Sequence, residues 1–180
     1  QGALVARLDG LLPATKEVVQ AASVMGREFH PDVIAAVCRS ARAEIDAALD
    51  ELVLGRLVQR GPAGADTFVF RHALIQDVTY HSLLRGRRRQ LHEAVADAIA
   101  NIRPDTIETQ PELVAYHLTE AGLQSRALDM WRRAGERALA RFANDEAVRH
   151  FEKGLEVAGH LSDAEDGGRE MLASHLLLGK

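Results

Sequence analysis

With 180 residues, 47% of them hydrophobic and 27% charged, the chain can bury one larger core or two small ones and is not a disordered tail. Aromatic residues are only 4%, while Ala and Leu are abundant, which favours close helix packing over a β-sandwich. A formal charge of −4 argues against wholesale nucleic-acid binding and leaves room only for a local basic patch.

The first third of the sequence alternates short helices with turns. "PATKEVVQAASVMG" carries Val18, Val19, Ala22 and Met25 at helical spacing and stops at Gly26. "HPDVIAAVC" opens on Pro31, which suits a first helical turn, and predicts burial of Val33, Ile34 and Val37. "AEIDAALDELVLGRL" places Ile45, Leu49, Leu52 and Val53 on one face. The period then changes. "LVQRG", the turn "PAGAD" and "TFVF" predict a β-hairpin with Phe68 and Phe70 on the same side of its second strand. Three helices followed by a hairpin is the order of a winged helix-turn-helix.

From about Ala73 onward the pattern is helical. Leu91, Ala94, Val95, Ala98 and Ile99 form an apolar stripe that Pro104 ends. Further helices are expected at about 110–121, 125–142 and 145–159, punctuated by Gly122, Asn144 and the "DGG" at 166–168. Within them Trp131, Ala134, Gly135, Ala138, Ala147, Phe151 and Gly154 follow tetratricopeptide (TPR) spacing of large and small residues. The small residues let two antiparallel helices approach closely, and Trp131 and Phe151 fill the gap between neighbours. Leu178-Gly179 resembles the start of a next repeat. A generic helical bundle is the plainer alternative. The expected fold is therefore mainly α: a winged helix-turn-helix over residues 1–84, then TPR-like antiparallel repeats over 85–180, truncated at the C-terminus. The chain opens without Met and closes in mid-pattern, so it reads as a piece of a longer protein.

Motifs that carry chemistry are absent. There is no Gly-x-x-x-x-Gly-Lys-Ser/Thr, Gly-x-Ser-x-Gly or His-Glu-x-x-His. The eight histidines are scattered and make no helical metal pair. The one cysteine, Cys38, permits no intramolecular disulfide, and its apolar run predicts a buried, inert thiol. Carboxylate pairs such as Asp50-Glu51 and Asp145-Glu146 fit solvated helix faces and helix starts. No stretch suits a bilayer span, no signal peptide is visible, and a cytoplasmic location is expected. No enzyme activity, metal or bound cofactor is expected of the chain itself.

Two features bear on partners. In DNA-binding winged helices the second helix enters the major groove. Here it displays Glu44, Asp46, Asp50 and Glu51, which phosphates would repel. The run "RGRRRQLH" brings Arg85, Arg87, Arg88 and Arg89 to a helix start, where the macrodipole opposes them. It is either a solvated interdomain elbow or a surface for an acidic partner: a neighbouring domain, nucleotide phosphates or RNA.

The lines "GREFHPDVIAAV", "LDELVLGRLVQR", "FVFRHALIQDVTYHSLLRGRRRQLHEAVADAI" and "ELVAYHLTEAG", continued by "ALDMWRRAGERALARFANDEAVRHFEKGLEVA", resemble a region of bacterial regulatory ATPases of the STAND/AAA type. The resemblance covers nearly the whole chain. Such proteins combine a nucleotide-binding domain, a winged helix and a TPR-like array. Similar segments occur with class III adenylate/guanylate cyclase domains and in large LuxR-type regulators. "FRHAL" also looks like the Met-His-Asp signature of related nucleotide-switch proteins, whose histidine contacts the phosphate of bound ADP. Arg71 and His72 stand at the matching strand-to-helix step, while Ala73 replaces the aspartate. A histidine bonded to a nearby backbone carbonyl is the structural alternative.

The resemblance implies a non-catalytic regulatory and interaction segment of a multidomain signalling ATPase. It would couple ATP or ADP in a neighbouring nucleotide-binding domain of the same chain to a protein or peptide on the array's concave face. Cyclase and ATPase activity would belong to the parent. Arg132 and Glu136 depart from the pattern of carboxylate-clamp TPR domains. The competing reading is a DNA- or RNA-binding regulator module that uses the winged helix and basic arm.

Overall fold

The structure is a computed structural model that describes residues 2–62 and 66–160, with the side chains of residues 2–5 left aside. Among the described residues the chain is mainly helical, with a small antiparallel sheet of three strands. Two compact units divide it, Gln1–Ala98 and Ile99–Lys180.

In the first unit α1 (Gly2–Asp9) precedes α2 (Pro13–Met25), which starts on a proline whose missing N–H costs nothing there and ends at Gly26 with φ 124°. Strand β1 (Glu28–Phe29) leads into α3 (Pro31–Cys38) and α4 (Arg42–Leu54). Strands β2 (Val58–Arg60) and β3 (Phe68–Phe70) form the expected hairpin, and β3 lies between β1 and β2. Its register pairs Phe29 with Phe68 and Val58 with Phe70. Alternation along β3 sends Phe68 and Phe70 inward, where their rings meet Phe29 at 6.2 and 5.5 Å between centroids. Below them pack Val18, Val19 and Ala22 of α2, Val33 and Ile34 of α3, and Ile45, Leu49 and Leu52 of α4.

Several side chains depart from the periodic expectation. Val37, Val53 and Ala94 are only half-buried, because each lies at the margin of its helix's apolar face. Cys38 is partly exposed, yet burial of its sulfur, reinforced by Glu17, pushes the thiol up to about 11. Glu51 belongs to a packed contact and not to a solvated face: it is half-buried and accepts a hydrogen bond from the buried Thr15 hydroxyl. Strand β1 was not foreseen, since two residues cannot display a period.

Helix α5 (Ala73–Ser82) is tied to α2 by Gln76, whose amide donates to Ser23 O at 3.1 Å. Helix α6 (Arg85–Ile102) follows, and the division between the units falls within it. The basic run at its start is partly absorbed locally. Arg87 pairs with Glu17 at 3.2 Å, and the Arg88 guanidinium lies 5.2 Å over the Tyr80 ring. Arg85 is exposed. The Tyr80 hydroxyl is hydrogen-bonded to Nε2 of His92 at 3.1 Å, and His92 has no accessible surface.

In the second unit α7 (Pro104–Thr109) occupies what read as a break: Pro104 ends α6 and also opens a short helix. Helices α8 (Pro111–Ala121), α9 (Gln124–Ala140) and α10 (Asn144–Gly159) pack in succession. Gly122 takes the left-handed φ of 77° at the first turn. At the second, Phe142 carries φ 60°, and Asn144 begins α10 instead of breaking the chain. The expected breaks and repeat start at 166–168 and 178–179 lie outside the described residues. Leu128, Ala138, Ala147, Phe151 and Ala158 form one core cluster.

Two measurements follow from this packing. A Cβ on Gly135 would come within 2.8 Å of Cδ1 of Phe151 and closer still to two other ring carbons. Gly135→Ala, which in an exposed helix gains about 1 kcal/mol, is therefore expected to cost about 1–3 kcal/mol through overpacking. Denaturant melts should show the loss, with part recovered when Phe151→Leu is added; a midpoint at or above the parent's contradicts it. For His92, burial and then the Arg88 charge lower the pKa from 6.5 to about 4. The unfolded chain thus takes up this proton first. The contribution of neutral His92 is complete above pH 6.5 and is lost as pH falls toward 4. The loss approaches about 3 kcal/mol. His92→Gln should flatten that part of the pH–stability curve, and an unchanged slope would discount the assignment.

Candidate functional site: a basic cleft at the β3–α5 step

Phe70 is fully buried, so the same alternation that turns its ring inward turns Arg71 out. The strand is held on both sides at this point. Phe70 N–H donates to Arg27 O at 2.9 Å, and Arg71 N–H donates to Leu57 O at 3.1 Å. His72 is extended, with φ −136° and ψ 137°, and immediately precedes α5. Its carbonyl accepts from Ile75 N–H at 2.9 Å, while its ring does not cap the helix. Arg71 and His72 are both exposed, and neither side chain has a hydrogen-bond partner among the described residues. Among the described residues no backbone carbonyl accepts from the His72 ring.

The end of α4 supplies the opposite wall. Gly55 N–H donates to Glu51 O, Arg56 N–H to Val53 O and Leu57 N–H to Leu52 O, all between 2.8 and 2.9 Å. This closing pattern puts Arg56 at the left-handed position, φ 53°, that glycine usually takes. Arg7, in the last turn of α1, donates to the carbonyl of Gly55. Together Arg7, Arg56, Arg71, His72, Leu74 and Ile75 line a cleft of about 380 Å³.

The charge of this cleft is one-sided. Several arginines elsewhere meet carboxylates: Arg42 with Asp46 and Asp66, Arg60 with Asp50, Arg141 with Glu146. Asp and Glu outnumber Lys and Arg by 26 to 22 in the whole chain, yet no carboxylate is among the described residues that line the cleft. Arginines that line one cleft with no carboxylate among its described lining residues repel one another, and an anion relieves that cost. The start of α5 adds the positive end of its dipole at the same step.

Sequence reading singled out Arg71 and His72, and the fold brings Arg7 and Arg56 to them. Those two were missed. Arg56 follows a helix-ending glycine and looks like an ordinary C-terminal cation, and nothing local marks Arg7. Arg85, Arg87, Arg88 and Arg89, at the start of α6, are not among the residues that line the cleft.

The residues with TPR spacing lie inside the second unit. Trp131 is 8% exposed, its Nε1–H donates to Thr119 Oγ1 at 3.0 Å, and its ring stacks on His150 at 5.7 Å. Ala134, Gly135, Ala138, Ala147, Phe151 and Gly154 are all buried, and Gly135, Ala138, Ala147 and Phe151 meet in the α9–α10 contact. On the outer face of α9, Arg132 is bound to Asp129 at 2.8 Å and to Glu136 at 2.7 Å. A shallow groove of about 680 Å³ runs between α8 and α10 beside Trp131, with Leu113 and the 44%-exposed Tyr116 on one side and Arg149 on the other. Among the described residues no group of His, Cys, Asp and Glu could hold a metal ion, and no helix is long and apolar enough to cross a membrane.

Comparisons with known proteins add little chemistry. No family model matches the chain, and no solved structure matches it. It is 29% identical over 158 residues to a protein from Rhizobium meliloti (strain 1021) that is described only as uncharacterized. That alignment covers 86% of the chain and 15% of the relative, so the chain spans about one seventh of the length of the curated relative it matches.

Proposed function

We propose that the chain is a non-catalytic regulatory segment of a longer signalling ATPase, and that it couples the nucleotide state of a neighbouring nucleotide-binding domain to partner binding by the helical array. The observation that carries this reading is the β3–α5 step, where His72 and Arg71 have no side-chain partner among the described residues and line a cleft with other cations. Such a step suits phosphate oxygens, and losing them on nucleotide exchange would remove the counter-charge and free the unit to move. ATP or ADP is the neighbour's ligand. The order α2, α3, α4, then the β2–β3 hairpin with β1 alongside, supports a winged helix. The buried small residues of α9 and α10 support a TPR-like array that presents its concave face to a protein or peptide in the cytoplasm. Nucleic-acid binding is disfavoured, because the exposed carboxylates of α4 would face phosphate.

The test uses the full-length protein. His72→Ala should weaken ADP binding about 10- to 100-fold, as expected for one hydrogen bond to a charged group, and should raise basal ATP hydrolysis. Unchanged ADP affinity together with unchanged basal activity rules out the coupling role.

A further inference from the structure

We propose that Arg7, Arg56 and Arg71 form a binding site for the diphosphate group of an organic ester, contained in this chain and centred on Arg56. The inference rests on the reading of the β3–α5 cleft as phosphate-facing. It adds two binding residues, Arg7 and Arg56, that no local motif marks.

Three arginines line one cleft, contributed by α1, the turn after α4 and the residue that follows β3. Arg56 and Arg71 have no ion pair or side-chain hydrogen bond among the described residues. Arg7 spends one N–H on the Gly55 carbonyl, a contact that holds its guanidinium beside the Arg56 turn while the rest of the fork stays available. Planar forks of this kind match phosphoryl oxygens in pairs.

Charge selects the number of phosphoryl groups. A monophosphate, with a charge of about −1.5 to −2, leaves the three arginines under-neutralised, whereas two linked phosphoryl groups match them. Leu74, 51% exposed, and the buried Ile75 supply an apolar wall beside the cations. That wall favours an ester with an organic body, such as a nucleoside diphosphate, over the inorganic ion.

The backbone at Arg56 provides a variant that separates binding from folding. A side chain at φ 53° is strained and glycine is not, so Arg56→Gly removes the guanidinium while relieving the turn. Calorimetric titration of the 180-residue chain with ADP, pyrophosphate and AMP at low ionic strength tests the site. Saturable binding is expected in the order ADP, pyrophosphate, AMP, with AMP at least about ten-fold weaker than ADP and all three weakened by salt. Arg56→Gly should raise the thermal midpoint and lower ADP affinity at least about ten-fold. Arg7→Gln should lower the affinity too, and Arg85→Gln, outside the cleft, should not. Absence of saturable binding, AMP binding as tightly as ADP, or equal losses for Arg56→Gly and Arg85→Gln would each overturn the inference. Pyrophosphate binding more tightly than ADP would overturn its organic-ester part. The coupling reading fails separately, if the cleft binds ADP through Arg56 but His72→Ala leaves the full-length protein unaffected.

Discussion

The burial of Phe70 against Phe29, in the middle of a three-stranded sheet, sets the geometry of everything exposed at the β3–α5 step. A ring with no accessible surface cannot rotate outward without opening a cavity under α2, α3 and α4, which costs about 3–5 kcal/mol for a lost phenylalanine. Strand alternation then leaves no choice for the next residue, and Arg71 faces solvent. The Arg71 N–H bond to Leu57 O ties that outward arginine to the chain leaving α4, one residue beyond Arg56. The cationic cleft is therefore a consequence of the hydrophobic core and the ladder.

Its arginines lack the carboxylate partners that several other arginines of the first unit have. Exposed ion pairs such as Arg60–Asp50 contribute little to stability, about 0–1 kcal/mol each. They do keep arginines from presenting bare charge. The cleft lacks that neutralisation, and the strained backbone at Arg56 adds a small further cost. The position is thus unfavourable in two independent ways for the free chain, and a nearby anion would offset the first of them. The arginines at the start of α6 differ in kind: Arg87 and Arg88 are turned onto Glu17 and Tyr80.

The second unit works by a different principle. Gly135 leaves room for the Phe151 ring, and Ala134, Ala138 and Ala147 keep α9 and α10 close, so helix contact is made mostly through small surfaces. Trp131 reaches Thr119 on α8 and His150 on α10, and one side chain thereby sets the spacing of three helices. Large residues left outside, Tyr116 and the 90%-exposed Phe142 among them, are surface that such a helix stack presents outward.

What was legible in the sequence follows from the range of the forces involved. Helices α2 to α4 and α8 to α10, the apolar stripe of α6 and the hairpin were readable because amphipathic periods, prolines at first turns and a glycine at Gly26 act within a few residues. The same local logic marked Arg71 and His72 at the strand-to-helix step. It misjudged Val37, Val53 and Ala94, whose burial depends on how far a neighbouring element reaches, and it missed β1, which exists only because β3 offers it a partner. Glu51 read as solvated until Thr15 of another helix was found against it. The sequence by itself determined helices α2 to α4 and α8 to α10, the β2–β3 hairpin and the residues of the β3–α5 step. Only the tertiary structure brought Arg7 and Arg56 to that step, because their convergence depends on packing between elements far apart in the chain, which no local period records.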